Sequence, residues 1–251
     1  MDLKPHQSRY WLHPKIEDED QFREHVSTIC SLYQNAQTLE KEDVHLISTD
    51  ELTAIQAMER IQPDLPMKPG IIRRIEFEYK RHGTLSLIAS FSVAEGKIQH
   101  ASIGPTRKED DFVAHIEETI NTHPKAGWIF IVDQLNTHQS ESLVCLVAKK
   151  CDIDGDLGRK ESYGILKSMA TRTAFLSDST HRIRFVYTPK HASWLNQIEI
   201  WFSILVRRLL RNHSFTSVEH LKERIFAFIA YFNQTMSGPF RWTYKGRPLV
   251  A

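Results

Sequence analysis

RIEFEYKRHGTLSLIASFSV (residues 74–93) alternates apolar and polar side chains on both sides of a glycine. Ile75, Phe77 and Tyr79 interleave with Arg74, Glu76, Glu78 and Lys80. Beyond Arg81-His82-Gly83, the residues Leu85, Leu87, Ala89, Phe91 and Val93 line up again. A period of two puts alternate side chains on one face of a sheet, so the stretch is read as an antiparallel hairpin turning at Gly83.

Working outward, the period changes. Phe112, Ile116 and Ile120 recur every four residues, which marks an amphipathic helix. Trp128–Val132 is wholly apolar and reads as a strand buried on both faces, ending at Asp133. Val44–Asp50 is a second short strand closed by a carboxylate, and Ile183–Tyr187 a third, stopped by Thr188-Pro189. Helices are expected through Phe22–Tyr33 and over Ser142–Lys149. Another carries Trp194, Ile198, Trp201, Phe202, Leu205 and Leu209 on one face. A last one opens with Thr216-Ser-Val-Glu219 as a capping box. A hairpin beside βαβ units predicts an α/β fold, a mixed sheet flanked by helices. Residues 152–181 are polar and are expected to form an irregular surface insertion.

The chain has 251 residues, 41% of them hydrophobic and 25% charged, a globular composition that excludes disorder and fibrous folds. No apolar stretch is long enough to cross a bilayer, and the first residues, MDLKPH, lack the apolar core of a secretory signal. A cytoplasmic protein is expected. Cys30, Cys145 and Cys151 cannot form an even disulfide framework and are read as small apolar residues in or beside buried helices. The net charge of +1 hides an asymmetry: residues 1–70 carry −6 and residues 201–251 carry +6. A basic end on a neutral chain suits one surface that faces a polyanion.

Asp50, Asp133 and Glu199 stand out by position. In open α/β sheets, sites gather at the carboxyl ends of strands, where Asp50 and Asp133 are expected. Glu199 falls in the first turns of a helix, on the flank of its apolar stripe. Three clustered carboxylates repel one another. A donor set of hard oxygens favours Mg²⁺ or Mn²⁺ over Zn²⁺, and two such ions serve an in-line displacement at phosphorus. Each acid also has a local reading: Asp50 and Asp133 as turn residues, Glu199 as the third residue of a box capped by Asn196. The run Asp152-Ile-Asp-Gly-Asp156 starts like a calcium loop but has Leu157 and Tyr163 where that loop needs Gly and Glu.

STDELTAIQAMER (48–60), IFIVDQLNTH (129–138), YTPKHASWLNQIEIWFSILVRRLLR (187–211) and FNQTMSGPFRWTY (232–244) resemble the catalytic domain of bacterial insertion-sequence transposases related to mariner. The resemblance implies an RNase H-like fold over residues 41–251, with residues 1–40 as the remnant of an upstream region and a linker helix. It implies that Asp50, Asp133 and Glu199 are a DDE triad. It further implies Mg²⁺ as cofactor, with Mn²⁺ able to substitute, and DNA as partner, both transposon ends and target. The active form would be a dimer. Gln134 stands where many members have Asn, while Asn136 and His138 keep the pattern. No helix-turn-helix region is recognised, so a partner carrying one, or a full-length transposase, is implied. Lys190, His191, Arg207, Arg208 and Arg211 are the candidate phosphate contacts, and Trp242 is expected to pack on the core. Two other functions are compatible with the acids: a silent fragment that binds DNA weakly or inhibits a full-length copy, and a different RNase H-like nuclease, such as a junction resolvase or an RNA–DNA hybrid cutter.

Overall fold

The computed structural model describes residues 18–244 apart from His191. His191, and residues 1–17 of the remnant and linker expected over residues 1–40, lie outside the described residues. Helix α1 (Glu19–Lys41) leads into strands β1 (Val44–Arg60), β2 (Tyr79–Ser92) and β3 (Lys97–Gly104). Helix α2 (Glu109–Asn121), strand β4 (Gly127–Val132) and helix α3 (Glu141–Lys150) follow. A two-residue-per-strand hairpin, β5 (Gly158–Arg159) with β6 (Tyr163–Gly164), precedes α4 (Met169–Leu176). Strand β7 (Ile183–Tyr187) and helices α5 (Ile198–Arg208) and α6 (Val218–Thr235) complete the described chain.

The main sheet runs β3-β2-β1-β4-β7. β1, β2 and β3 are antiparallel, whereas β4 and β7 lie parallel to β1. This is the expected mixed sheet, with β3 in the place of the strand expected over residues 74–80. Leu46, Ile129 and Ile131 face α1, and Leu85, Leu87 and Phe91 face α5 and α6. On the opposite side Ile47, Phe130 and Val132 pack against α2 and α3, joined by Leu166 and Leu176. Helices cover both faces, so β4 is apolar throughout and fully buried from Trp128 to Val132 save Ile129 at 3%.

The hairpin expected at Gly83 does not form. β2 runs straight through Arg81-His82-Gly83 and pairs with the far half of β1. Alternation reports which face a residue takes but not which strand is its neighbour. Gly83, at φ 139°, sits opposite Ala57, where His82 is left as the extra residue of a bulge. A Cβ on Gly83 would lie 2.8 Å from Val218, so the glycine also lets α6 approach. Ile75 and Phe77, read as part of one strand of that hairpin, are 48% and 88% exposed. They belong to an arm, residues 61–78, closed by paired Leu65–Arg74 and Lys68–Ile71 bridges.

Other departures are local. Residues 152–181 are not irregular: α4 is capped by Ser168, and Leu166 and Leu176 are buried. Trp194 is 48% exposed in a short 3₁₀ turn before α5 and is no part of its apolar stripe. The cap of α6 is Ser217, not Thr216, its side chain accepting from the His220 N–H. Cys145 is exposed on the outer side of α3, because Leu143, Val144, Leu146 and Val147 take the buried side. Trp242 does pack inward, its ring 4.7 Å from that of Tyr33.

The true turn after β2 ends at Gly96, at φ 68°, whose N–H bonds the Ser92 carbonyl at 2.8 Å. The backbone of Gly238 crosses directly over it, and a Cβ on Gly96 would collide with the Gly238 carbonyl group. Gly96→Ala is therefore expected to lower stability by about 2 kcal/mol or more. Urea unfolding measures this, and a change below ~0.5 kcal/mol would show that this crossing is unimportant.

Candidate active site

β1 and β4 pair in parallel with Ser48 level with Ile131, the last paired position. Two residues further along both strands stand Asp50 and Asp133. Side chains two apart share a face, so both carboxylates take the face covered by α1, α5 and α6. Asp50 is expected from the sequence to end its strand, but β1 continues to Arg60. It lies where the pairing with β4 stops, which is the carboxyl end of the parallel half of the sheet.

Glu199 arrives from the first turn of α5. The start of that helix is stitched to β1. Asn196 is fully buried, and its Nδ2 donates to the Thr49 carbonyl at 3.0 Å and to Asp50 Oδ2 at 3.2 Å. Its Oδ1 accepts from the Ser48 hydroxyl, which in turn accepts from the Ile198 N–H at 3.0 Å. Tyr33 of α1 adds a bond to the Leu195 carbonyl at 2.6 Å. Asn196 is thus not the N-cap expected from the sequence. The cap position is Gln197, with no side-chain bond, and Asn196 instead holds Asp50 and docks the helix.

Asp133 Oδ1 accepts from Leu135 N at 3.0 Å and forms an ion pair with His138 Nδ1 at 2.7 Å, the same nitrogen standing 3.2 Å from the Asp133 main-chain carbonyl. The other ring nitrogen of His138 lies 3.2 Å from Glu51 Oε1, and Arg107 reaches Glu51 Oε2 at 3.5 Å. Sequence reading noted His138 only as part of a pattern and missed Glu51 and Arg107. The available signal was the Asp50-Glu51 doublet: on a strand with both faces covered, the second acid must be buried too and so needs a partner.

The electrostatics fit crowded anions. Burial raises the Asp50 carboxyl; the Glu51 N–H and His138 oppose, Asp133 and Glu199 reinforce, and the result is about 7. Glu199 is raised by burial and by Asp133. Burial also acts to raise Asp133, but the hydrogen bond and charge of His138, the Leu135 N–H and Arg107 outweigh it and hold it below the usual range. Burial acts to lower His138, yet its bonds to Asp133 and Glu51 lift it to about 9.

The three acids therefore feel one another across one crevice, and their donor set is all oxygen. Among the described residues no three His, Cys, Asp or Glu side chains close on a single point as a complete cage. Mg²⁺ does not require one: it keeps waters and is held by one or two carboxylates plus substrate phosphates. The cost of ionising Asp50, set first by burial and then by Asp133 and Glu199, is what a bound cation would relieve.

Of the candidate DNA contacts, Lys190 is exposed just past β7, and Arg207 and Arg208 are exposed at the end of α5. Arg211 is exposed as well, but it lies in a 3₁₀ turn after α5 has ended, not on the helix as expected.

The sheet order, with helices on both faces, is that of an RNase H-like fold. A family model described as DDE superfamily endonuclease matches residues 45–222. The chain belongs to that family. Among solved structures it is similar to a pre-cleavage Mos1 transpososome, with TM-score 0.53, 11% identity, and 89% of this chain and 59% of that chain covered. The Mos1 mariner paired end complex with Mn gives TM-score 0.52, 11% identity and the same coverage. The isolated catalytic domain of Mos1 mariner transposase gives TM-score 0.50 and 9% identity, covering 88% of this chain and 85% of that one. At these identities the likeness is one of fold. The chain spans about 59% of the length of the Mos1 chains in those complexes. No curated protein matches the sequence.

A carboxyl whose folded value is raised releases its proton more easily when unfolded. Asp50 therefore makes the metal-free protein lose stability as pH rises from about 4 to about 7. Asp50→Asn is expected to flatten that slope and to raise metal-free stability at pH 8 by ~1–3 kcal/mol. Thermal denaturation in chelator at pH 5 and pH 8 reads both effects; a variant less stable than wild type at pH 8 would contradict the cost of ionising buried Asp50.

Proposed function

We propose that this chain is the catalytic domain of a transposase. It would cut DNA at transposon ends and join the freed 3′-hydroxyl to target DNA. The observation that carries this reading is the pairing register of β1 and β4, which sets Asp50 and Asp133 level on one face beneath Glu199.

Asp50, Asp133 and Glu199 would hold Mg²⁺, or Mn²⁺ in its place. Such ions, once bound, supply charge neutralisation and stabilise the attacking and leaving oxygens of an in-line displacement at phosphorus. The protein's own part is orientation. Asn196 fixes one oxygen of Asp50, Leu135 and His138 fix one oxygen of Asp133, and Glu199 stands on the first turn of a helix docked to β1. Lys190, His191, Arg207, Arg208 and Arg211 are assigned to phosphate contact, which fixes position without reading sequence. Affinity of that kind falls steeply with salt.

Recognition of transposon ends is assigned to a helix-turn-helix module on a partner or full-length transposase, with residues 1–40 as the connection and 41–251 as the catalytic unit. A dimer is supported by the arm between β1 and β2, where Leu65, Met67, Ile72 and Phe77 are each at least 60% exposed. Apolar patches left open in this way mark interaction sites. We place the protein in the cytoplasm with its DNA substrate. Among the described residues no helix is long and apolar enough to cross a membrane.

Supercoiled plasmid and end-bearing oligonucleotides incubated with Mn²⁺ are expected to be nicked by the wild-type chain. Asp133→Asn should reduce nicking at least 100-fold, and chelator should abolish it. Wild-type chain that shifts DNA at low salt and never cleaves it would favour the silent fragment. Preferential cutting of RNA–DNA hybrids or four-way junctions would point to another nuclease.

A further inference from the structure

His138 is fully buried, and each ring nitrogen faces a carboxylate: Nδ1 the Oδ1 of Asp133 at 2.7 Å, Nε2 the Oε1 of Glu51 at 3.2 Å. The ring has little freedom to turn. Its face lies against Phe112, with centroids 4.1 Å apart, and its backbone carbonyl accepts from the Tyr187 hydroxyl at 2.8 Å. Glu51 is itself pinned from outside by Arg107 at 3.5 Å. The result is a chain of four side chains, Arg107–Glu51–His138–Asp133, that runs from solvent to the candidate catalytic carboxylate.

This chain crosses the sheet. Asp50 and Glu51 are successive residues of β1 and so point to opposite faces. Glu51 belongs to the α2 side, while Asp133 belongs to the α5 side with Asp50. His138 sits in the 3₁₀ turn just past β4, Asn136–Gln139, and reaches both at the place where β1 and β4 stop pairing. It replaces the missing backbone ladder with a side-chain tie between the two strands.

The tie is asymmetric at Asp133. Oδ1 takes Leu135 N and the ion pair with His138 Nδ1, a nitrogen that also reaches the main-chain carbonyl of Asp133 at 3.2 Å, and among the described residues no hydrogen bond reaches Oδ2. A carboxylate with one oxygen saturated can turn only the other outward.

We infer that His138 is a positioning residue: by occupying Oδ1 of Asp133, with Glu51 and Arg107 as its backing, it presents Oδ2 to the divalent cation shared with Asp50. The inference rests on the metal-dependent reading above and deepens it. Histidine–carboxylate ties around metal ligands tune affinity, and their loss typically lowers it about 10- to 100-fold.

Two substitutions separate this role from plain structural support. The amide nitrogen of His138→Asn lies near the place of Nδ1 and can still bond Asp133. That of His138→Gln lies near the place of Nε2 and can bond only Glu51. Both remove the imidazole beside buried Glu51, so both should destabilise the fold, His138→Asn the more because it leaves Glu51 without that bond. Mn²⁺ binding is read by isothermal titration calorimetry, with folding checked by circular dichroism. His138→Gln is expected to weaken Mn²⁺ binding at least tenfold and His138→Asn no more than about threefold. Equal effects from the two, or no effect from either, would overturn the inference. Should either variant unfold, the pair is remade with Glu51→Gln, which removes the buried charge, and the same ranking is required. Wild-type chain that binds no Mn²⁺, or binds it equally after Asp133→Asn, would refute the metal reading itself, an outcome visible before any His138 variant is compared.

Discussion

Two strands from distant parts of the chain lie parallel with Ser48 level with Ile131, and that alignment governs the site. A slip of one residue would send either Asp50 or Asp133 to the opposite face, since side chains alternate along a strand. The alignment is enforced from both faces. Ile47, Phe130 and Val132 are buried against α2 and α3, and Leu46, Ile129 and Ile131 against α1. Neither set can move to the other face without exposing the apolar side chains of the core. The hydrophobic packing of the sheet thereby fixes the position of two charges that repel each other.

That repulsion is the second constraint. Hydrophobic burial stabilises the fold, but at Asp50 it works against ionisation and raises the carboxyl to about 7. The surrounding residues offset part of the strain. Asn196 donates to Asp50, His138 and a backbone N–H donate to Asp133, and Arg107 closes the outer end of the chain of bonds. Asn196 and Tyr33 also dock the start of α5, so the element that brings Glu199 is held by the same β1 segment that brings Asp50. Function of the proposed kind depends on a residual deficit of positive charge at the three acids, which a purely structural cluster would have removed.

Much of this was legible in the sequence, for identifiable reasons. Asp133 follows five apolar residues and Glu199 opens an apolar-striped helix, so position alone singled them out. β4, β7, α2 and α3 were legible because their periods are unbroken. The length of β1 was not. Leu52, Ile55 and Ala57 all pack toward the α5–α6 face, but a bulge at Ala54 shifts the parity between the first and the second, and the period-two signal disappears. The hairpin at Gly83 was misread because alternation carries no information on strand partners. Glu51 and Arg107 escaped notice because their role depends on which face of the sheet each residue takes and on what lies across it. Asn196 looked like a helix cap because Asn before a helix usually is one; its burial against β1 is a tertiary fact.

The central claim is that Asp50 and Asp133 share a divalent cation, with Glu199 completing the site. Diffraction from Mn²⁺-soaked crystals, collected at the manganese absorption edge, tests it most directly. The account predicts an anomalous peak within about 2–2.5 Å of a carboxylate oxygen from both Asp50 and Asp133. Manganese bound only elsewhere, or a site left empty at saturating Mn²⁺ with the two carboxylates turned apart, would contradict it.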